Sequence, residues 1–335
     1  MKYILGIDGG GSKTTAILAD ERGIVLSEGR GGASNYQTIG LESAGQAIKS
    51  AITAAIEKAG KDFSVSLDDL DDRLVVVAGL AGADRPLDRE RLAPVVWTQL
   101  PVRPLQLRIE HDARVGLAAG TGDKPGIILI AGTGSIAFGM DNTGRQVRAG
   151  GWGPILGDEG SGYSIGRAAL IAILWEYDGR GKPTSLTKRI MSHLGVTGPD
   201  EMVSLVYQGP LQRSEIAKLA EIVLEEAALG DEVSQYLITD AAEQLVRMIT
   251  TVFGKLEWHQ QSIPAAGIGG LLQPGNLLWT SIVEMLNRSH PQIHFIPPML
   301  PPELGAVLLG RKFMDTEVPY EEFLLNLTSY TRKTS

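Results

Sequence analysis

There is no cysteine anywhere in the 335 residues. That excludes disulfides, thiolate metal sites, a cysteine nucleophile and a cysteine-ligated iron–sulfur cluster. No apolar run approaches the roughly 18 residues a membrane-spanning helix needs, so no membrane partner is expected. Basic residues are outnumbered, 31 Lys+Arg against 39 Asp+Glu for a net charge of −8, and they form no long run. Nucleic acid is therefore not an expected partner. Of the five histidines only His290 and His294 share a helical i, i+4 spacing, and Pro291 between them argues against a helix. A metal site built on histidine is not expected. The opening Met1-Lys2-Tyr3-Ile4-Leu5 run is too short for a secretory signal, which points to a cytoplasmic protein.

Glycine is what the chain has in excess. Average usage of about 7% would give roughly 23 glycines, and there are 41. They follow no G-X-Y period, so the surplus marks particular backbone positions rather than a fibrous repeat. With 43% hydrophobic and 21% charged residues the composition is globular, and the length suits two domains.

The first 30 residues read as three strands: Tyr3 to Asp8, Thr14 to Ala19 and Ile24 to Glu28, the last two joined by an Asp20-Glu21-Arg22-Gly23 turn. Apolar residues at Leu41, Ala44, Ile48, Ala51, Ile52, Ala55 and Ala59 have helical spacing, and Gly60 closes that helix. Leu74 to Leu80 is a continuous apolar strand of the kind buried on both faces. A helix over Asp88–Leu100 bent at Pro94, a strand Leu105–Ile109 and a helix from Ala113 follow. Then the opening repeats. Ile127–Ala131, a glycine turn, Ile136–Met140, an Asp141-Asn142-Thr143-Gly144 turn and Arg145–Ala149 match it, with Gly134 standing 123 residues after Gly11. Two hairpins with the same internal spacing predict a duplicated α/β domain, with a boundary near 116. After Gly160 the pattern is mostly helical, with strands at Ala265–Gly269 and Ile293–Ile296 and a last helix over Glu303–Phe313.

Gly9-Gly10-Gly11-Ser12-Lys13 looks like a P-loop, but Ser12 separates the glycine from Lys13, and a strand rather than a helix follows. The remaining reading is a hairpin whose N–H groups converge on an anion, with Asp8 holding a hydrated Mg²⁺ beside it. The alternative is an ordinary glycine turn. Gly132-Thr133-Gly134-Ser135 is a second such loop. Asp112, at a strand end that opens a helix, is either a general base or a helix cap, or both. In the glycine-dense run Gly150–Gly162, Asp158 is suited to sugar hydroxyls, and Trp152 either walls a pocket or packs in the core. Gly269 and Gly270 end a strand where close backbone approach suits a nucleotide. Asn35, in a Gly31–Asn35 loop, offers both a donor and an acceptor.

These residues resemble a known superfamily. Asp8-Gly9-Gly10-Gly11-Ser12, Asp112, Gly132-Thr133-Gly134-Ser135 and Gly269-Gly270 are similar to the phosphate, connecting and adenosine motifs of the actin/hexokinase/Hsp70 ATPases. Ser34-Asn35, Gly151-Trp152-Gly153 and Gly157-Asp158-Glu159-Gly160-Ser161 resemble its N-acetylglucosamine kinase branch, which shares a group with ATPase activators of benzoyl-CoA reductase and 2-hydroxyacyl-CoA dehydratase. Those activators need a cysteine-ligated cluster, which this chain has no thiol to hold.

The resemblance implies two ribonuclease-H-like (actin-like ATPase) α/β domains, 1–116 and 117–335, with ATP and Mg²⁺ in a central cleft. It implies Asp112 as base for the 6-hydroxyl of an amino sugar, N-acetylglucosamine first, with glucosamine and N-acetylmuramic acid as alternatives. A non-redox ATPase switch is the rival activity. ATP falls to Gly9, Gly10, Gly11, Ser12, Lys13, Gly132, Thr133, Gly134, Gly269 and Gly270, and the sugar to Asn35, Asp112, Ser135, Gly151, Trp152, Gly153 and Asp158. Ile136 stands where the mammalian kinase has a polar sugar-contacting residue. A homodimer is the implied quaternary state.

Overall fold

The computed structural model describes residues 1–209, 211–259 and 261–334. Along the first part of the chain the elements are β1 (Tyr3–Gly9), β2 (Thr14–Asp20), β3 (Val25–Gly31), α1 (Tyr36–Ile39), α2 (Leu41–Phe63), α3 (Leu67–Leu70), β4 (Leu74–Leu80), α4 (Pro86–Trp97), β5 (Gln106–His111) and α5 (Asp112–Thr121). There follow β6 (Gly126–Ala131), β7 (Ser135–Met140), β8 (Gln146–Gly150), α6 (Gly162–Tyr177), α7 (Leu186–Leu194), α8 (Pro199–Tyr207), α9 (Arg213–Ala228), α10 (Glu232–Gly254), β9 (Ile263–Ile268), α11 (Leu277–Ser289), β10 (Ile293–Ile296), α12 (Pro302–Gly310) and α13 (Tyr320–Thr334). A single 3₁₀ turn, Arg311–Phe313, follows α12.

The chain divides into two compact units, Met1–Lys124 with Pro298–Ser335, and Pro125–Pro297. Each holds a five-stranded sheet, in the orders β3-β2-β1-β4-β5 and β10-β9-β6-β7-β8. Their pairing is the same. β1 runs antiparallel to β2 and parallel to β4, as β6 runs antiparallel to β7 and parallel to β9. The duplication predicted from the two hairpins is thus present strand for strand.

The units divide differently from the sequence expectation. Residue 116 lies inside α5, so the first unit runs on to 124, and the chain from 298 rejoins it. The reason is two-sided burial. Alternate β4 residues, Leu74, Val76, Ala78 and Leu80, join one apolar cluster with α2, while Val75 and Val77 join another with Leu304, Val307 and Leu308 of α12. Without α12 and α13, that second face of the first sheet would lose much of its cover. The approach is close: a Cβ on Gly6 of β1 would stand 2.7 Å from Val307, and one on Gly305 2.1 Å from the carbonyl oxygen of Val115.

Helix α2 lies equally tight on β3. Its buried face is mostly small, with Ala44, Gly45, Ala51, Ala55 and Ala59 interleaved with Ile48, Ile52 and Ile56. A Cβ on Gly29 would meet the Ala51 carbonyl oxygen at 2.1 Å, and one on Gly31 that of Ala47 at the same distance. Pro94 does not break α4, which starts on Pro86 and runs to Trp97. Since backbone atoms cannot move aside as a side chain can, Gly29→Val should cost about 2–3 kcal/mol. Urea unfolding should show a lower midpoint with an unchanged slope.

Candidate active site

In the first unit the chemistry-bearing residues gather where β1, β4 and β5 end. The tip between β1 and β2 is a true hairpin, Gly9 paired with Thr14 and the Gly10 N–H donating to the Lys13 carbonyl at 2.9 Å. A strand on each side is what separates it from a P-loop. Two neighbouring loops are stitched to it: Ser34 N–H donates to Gly10 O at 2.9 Å and Ala81 N–H to Gly9 O at 2.8 Å. Packing requires glycine at Gly9, where a Cβ would sit 2.3 Å from Ser34 Oγ. It does not at the tip. A Cβ on Gly11 would meet nothing within 4 Å, and one on Gly10 only the Lys13 carbonyl at 3.7 Å. Gly11, Ser12 and Lys13 are exposed. Asn35 caps α1, its Oδ1 accepting from Gln37 N–H at 3.1 Å.

Asp8 sits next to this tip on β1. Burial pushes its carboxyl up to about 7, with the charges of Asp112 and Glu303 adding to the rise and Lys13 opposing it. Asp112 opens α5. His111 takes the cap position, its Nδ1 accepting from Ala113 N–H at 3.2 Å, while Asp112 Oδ1 accepts from the same N–H at 2.8 Å. Burial raises the Asp112 pKa, and Asp84 adds to that; the nearby His111 and the Ala113 N–H hold it down. The first turn of a helix also favours the anion. Its side chain is 34% exposed, open enough to reach a substrate.

In the second unit, β6 and β7 make the matching hairpin, Ala131 paired with Ser135 and Gly132 N–H donating to Gly134 O at 2.9 Å. Again a Cβ on Gly132 would meet nothing within 4 Å. Gly134 is explained by packing, since a Cβ there would lie 3.0 Å from both Asp158 carboxylate oxygens. Asp158 is buried, adopts a left-handed φ of 62°, accepts from Ser135 N–H at 3.3 Å and pairs with the Arg213 guanidinium. The hydroxyl of Ser135 is engaged by the Glu159 carbonyl at 2.7 Å. Gly151 N–H donates to Ser135 O at 2.9 Å, and a Cβ on Gly151 would press on the Ile136 side chain at 2.8 Å, so Ile136 packs under the Gly151 backbone. So the loop residues Thr133 to Ser135, Gly151 and Asp158 are brought together. Gly153 has a φ of 84° with open space beside it.

Trp152 is 61% exposed, which removes the core alternative, and the Arg148 guanidinium lies over its ring at 4.2 Å. Gly269 has a packing explanation: its φ is 121° and a Cβ would meet the Ala131 carbonyl oxygen at 2.1 Å. Gly270 faces open space. Sequence reasoning missed Asp84, His111, Glu303 and Arg213. His111 was in plain view beside Asp112. Arg213 lies 55 residues from Asp158 and carries no motif that would have paired them.

A profile of the BadF/BadG/BcrA/BcrD ATPase family matches residues 5–310. The chain belongs to that family. Within it, the chain is 32% identical to the N-acetylmuramic acid/N-acetylglucosamine kinase of Clostridium acetobutylicum, over 94% of this chain and 100% of that one. It is 33% identical to the N-acetyl-D-glucosamine kinase of Dictyostelium discoideum, over 92% and 98%. The solved structure of a candidate N-acetylglucosamine kinase from Chromobacterium violaceum superposes with a TM-score of 0.70 at 27% identity, covering 93% of this chain and 99% of that one. A ROK-family glucokinase from Streptomyces griseus, at 16% identity and a TM-score of 0.54, shares the fold over 93% and 98% of the two chains.

Family members are ATPases, and each hairpin tip by itself leaves its backbone open. Their glycines leave room for close approach of an anion to the backbone N–H groups. The divalent cation such a nucleotide carries would be met by Asp8. Among the described residues no group of three or more His, Cys, Asp or Glu could hold a metal ion directly. A single carboxylate suits Mg²⁺, which keeps most of its water and takes phosphate oxygens.

Because the folded state binds the Asp8 proton more tightly than an unfolded chain with a carboxyl near 3.8, the contribution of Asp8 to stability is full below that value and is lost as pH rises from there through about 7. The Asp8→Asn variant should escape that loss. In thermal melts without ligand it should melt about 3 °C or more above the parent at pH 8, and the gap should close near pH 4. An equal gap at both pH values would rule out a raised Asp8 pKa.

Proposed function

We propose that this protein is an ATP-dependent amino-sugar kinase that transfers the γ-phosphoryl group to the 6-hydroxyl of N-acetylglucosamine. The observation that carries the reading is the Asp112 carboxylate at the start of α5, in the same unit as a glycine hairpin whose tip packing does not explain. Support comes from the two amino-sugar kinases matched along almost their whole length. Asp112 accepts the proton of the attacking hydroxyl, whose oxygen bonds to the γ-phosphorus as the bond to the departing ADP breaks. A raised carboxyl pKa makes Asp112 a stronger base than an ordinary carboxylate. Little covalent chemistry falls to the protein, so positioning and charge stabilisation do the rest. The backbone at Gly9, Gly10, Gly11, Ser12, Gly132, Thr133 and Gly134 would hold phosphates, with Lys13 as a nearby cation. Gly269 and Gly270 would lie at the nucleotide. Mg²⁺, bound through water at Asp8, supplies charge neutralisation when present. Asn35, Ser135, Gly151, Trp152, Gly153 and Asp158 would line the sugar; with its hydroxyl engaged by Glu159, Ser135 would contribute backbone.

N-acetylmuramic acid is a second proposed substrate, favoured by the name of the Clostridium relative. A coupled assay over a panel of amino sugars tests the reading, with phosphorus–proton NMR of the product locating the new ester. ATP turnover should depend on an amino sugar, and the phosphate should sit on the 6-oxygen. Hydrolysis that runs equally fast with and without every sugar would overturn the kinase reading in favour of an ATPase switch. Asp112→Asn should bind ATP normally and lose phosphoryl transfer by about 10²-fold or more. Retained turnover would remove Asp112 from the role of base.

A further inference from the structure

His111 and Asp84 have no role in the reaction as described so far, yet both stand against its base. β4 and β5 pair in parallel with Leu80 opposite His111, so the loop carrying Asp84 and the His111 ring leave the sheet side by side. The His111 side chain is 9% exposed. Its Nδ1 accepts the Ala113 N–H, which places the ring proton of the neutral imidazole on Nε2. That nitrogen contacts Asp84 Oδ1 and lies 3.2 Å from Asp112 Oδ1. One donor thus faces two carboxylates from two different chain segments.

We propose that Asp84 and His111 are positioning residues for Asp112, an inference that rests on the reading of Asp112 as the kinase base. Asp84 fixes the ring, and the ring fixes Asp112 Oδ1 together with the Ala113 N–H. With Oδ1 facing the Ala113 N–H and the single ring N–H it shares with Asp84, the plane of the carboxylate is set and Oδ2 is the oxygen left to take the hydroxyl proton. Without the ring, two acceptor-only carboxylates would face each other and Asp112 would turn away. A small misplacement of a base is enough to lose a large part of the rate.

The test is steady-state kinetics on the full chain, with ATP binding measured by calorimetry for every variant. His111→Leu fills similar space and donates nothing, whereas His111→Gln keeps an N–H near the Nε2 position. We expect His111→Leu to lower kcat by about 10- to 100-fold with the ATP Kd and KM within about threefold. His111→Gln should recover kcat to within about fivefold of the parent. Asp84→Ala should also lower kcat, and adding it to His111→Leu should cost little more, as expected of groups acting as a unit. Leu and Gln variants with equal kcat would show that the ring only fills space, and would overturn the proposal while leaving the kinase intact. A parent protein that phosphorylates no amino sugar would instead overturn the kinase reading and this inference with it.

Discussion

Burial of the central parallel strands on both faces is the constraint from which the rest follows. β1 and β4 send alternate side chains into two separate apolar clusters, and neither cluster can close without its own helices. One face is covered by α2 and α4. The other needs α5 and α12, which is why the chain must come back to the first unit after building the second. A sheet covered on both faces leaves its strand ends as the place where polar chemistry is cheap. In open α/β sheets ligands gather at the carboxyl ends of strands for this reason. Here Asp8, Asp84 and Asp112 all lie at or just beyond the carboxyl ends of β1, β4 and β5.

The glycines answer to two different demands. At Gly29, Gly31, Gly305 and Gly269 the nearest obstacle to a Cβ is backbone, so the residue is needed for the layers to meet. At Gly10, Gly11, Gly132 and Gly270 a Cβ would find little or nothing in its way. Packing gives no reason for glycine there, and the approach of a ligand to bare backbone is the reason we propose. The distinction also lowers the claim of Gly269 as a nucleotide contact, because the Ala131 carbonyl already demands its missing side chain.

Much of this was legible beforehand, and the failures have physical causes. The strands, the hairpins and the duplication could be read because apolar runs and Asp-x-x-Gly turns are local signals. The helix α13 was not read. Its buried residues, Phe323 and Leu327, are one helical turn apart, but Leu324 and the exposed Leu325 between them blur the helical period. The return of α12 to the first sheet was equally invisible, since which sheet a helix covers is a property of long-range packing. Around the site, glycines and Asp112 announced themselves by type and spacing. Arg213 and Glu303 did not, because an ion pair or a shared field between distant residues leaves no trace in order along the chain. Trp152 shows the limit of composition: a tryptophan in a glycine run suggested core and pocket about equally, and only its exposure separates them.

Two buried carboxylates in one unit, with the charge of Asp112 adding to the rise at Asp8, also explain why the site would wait for its nucleotide. With Asp8 near 7 and Asp112 raised by burial, holding both ionised without a cation is costly at neutral pH. A hydrated divalent cation brought to Asp8 by ATP would favour its ionised form, so that binding near neutral pH releases a proton. Coupling of this kind ties the ionisation of Asp8 to the arrival of the phosphoryl donor, without requiring any movement of Asp112 itself.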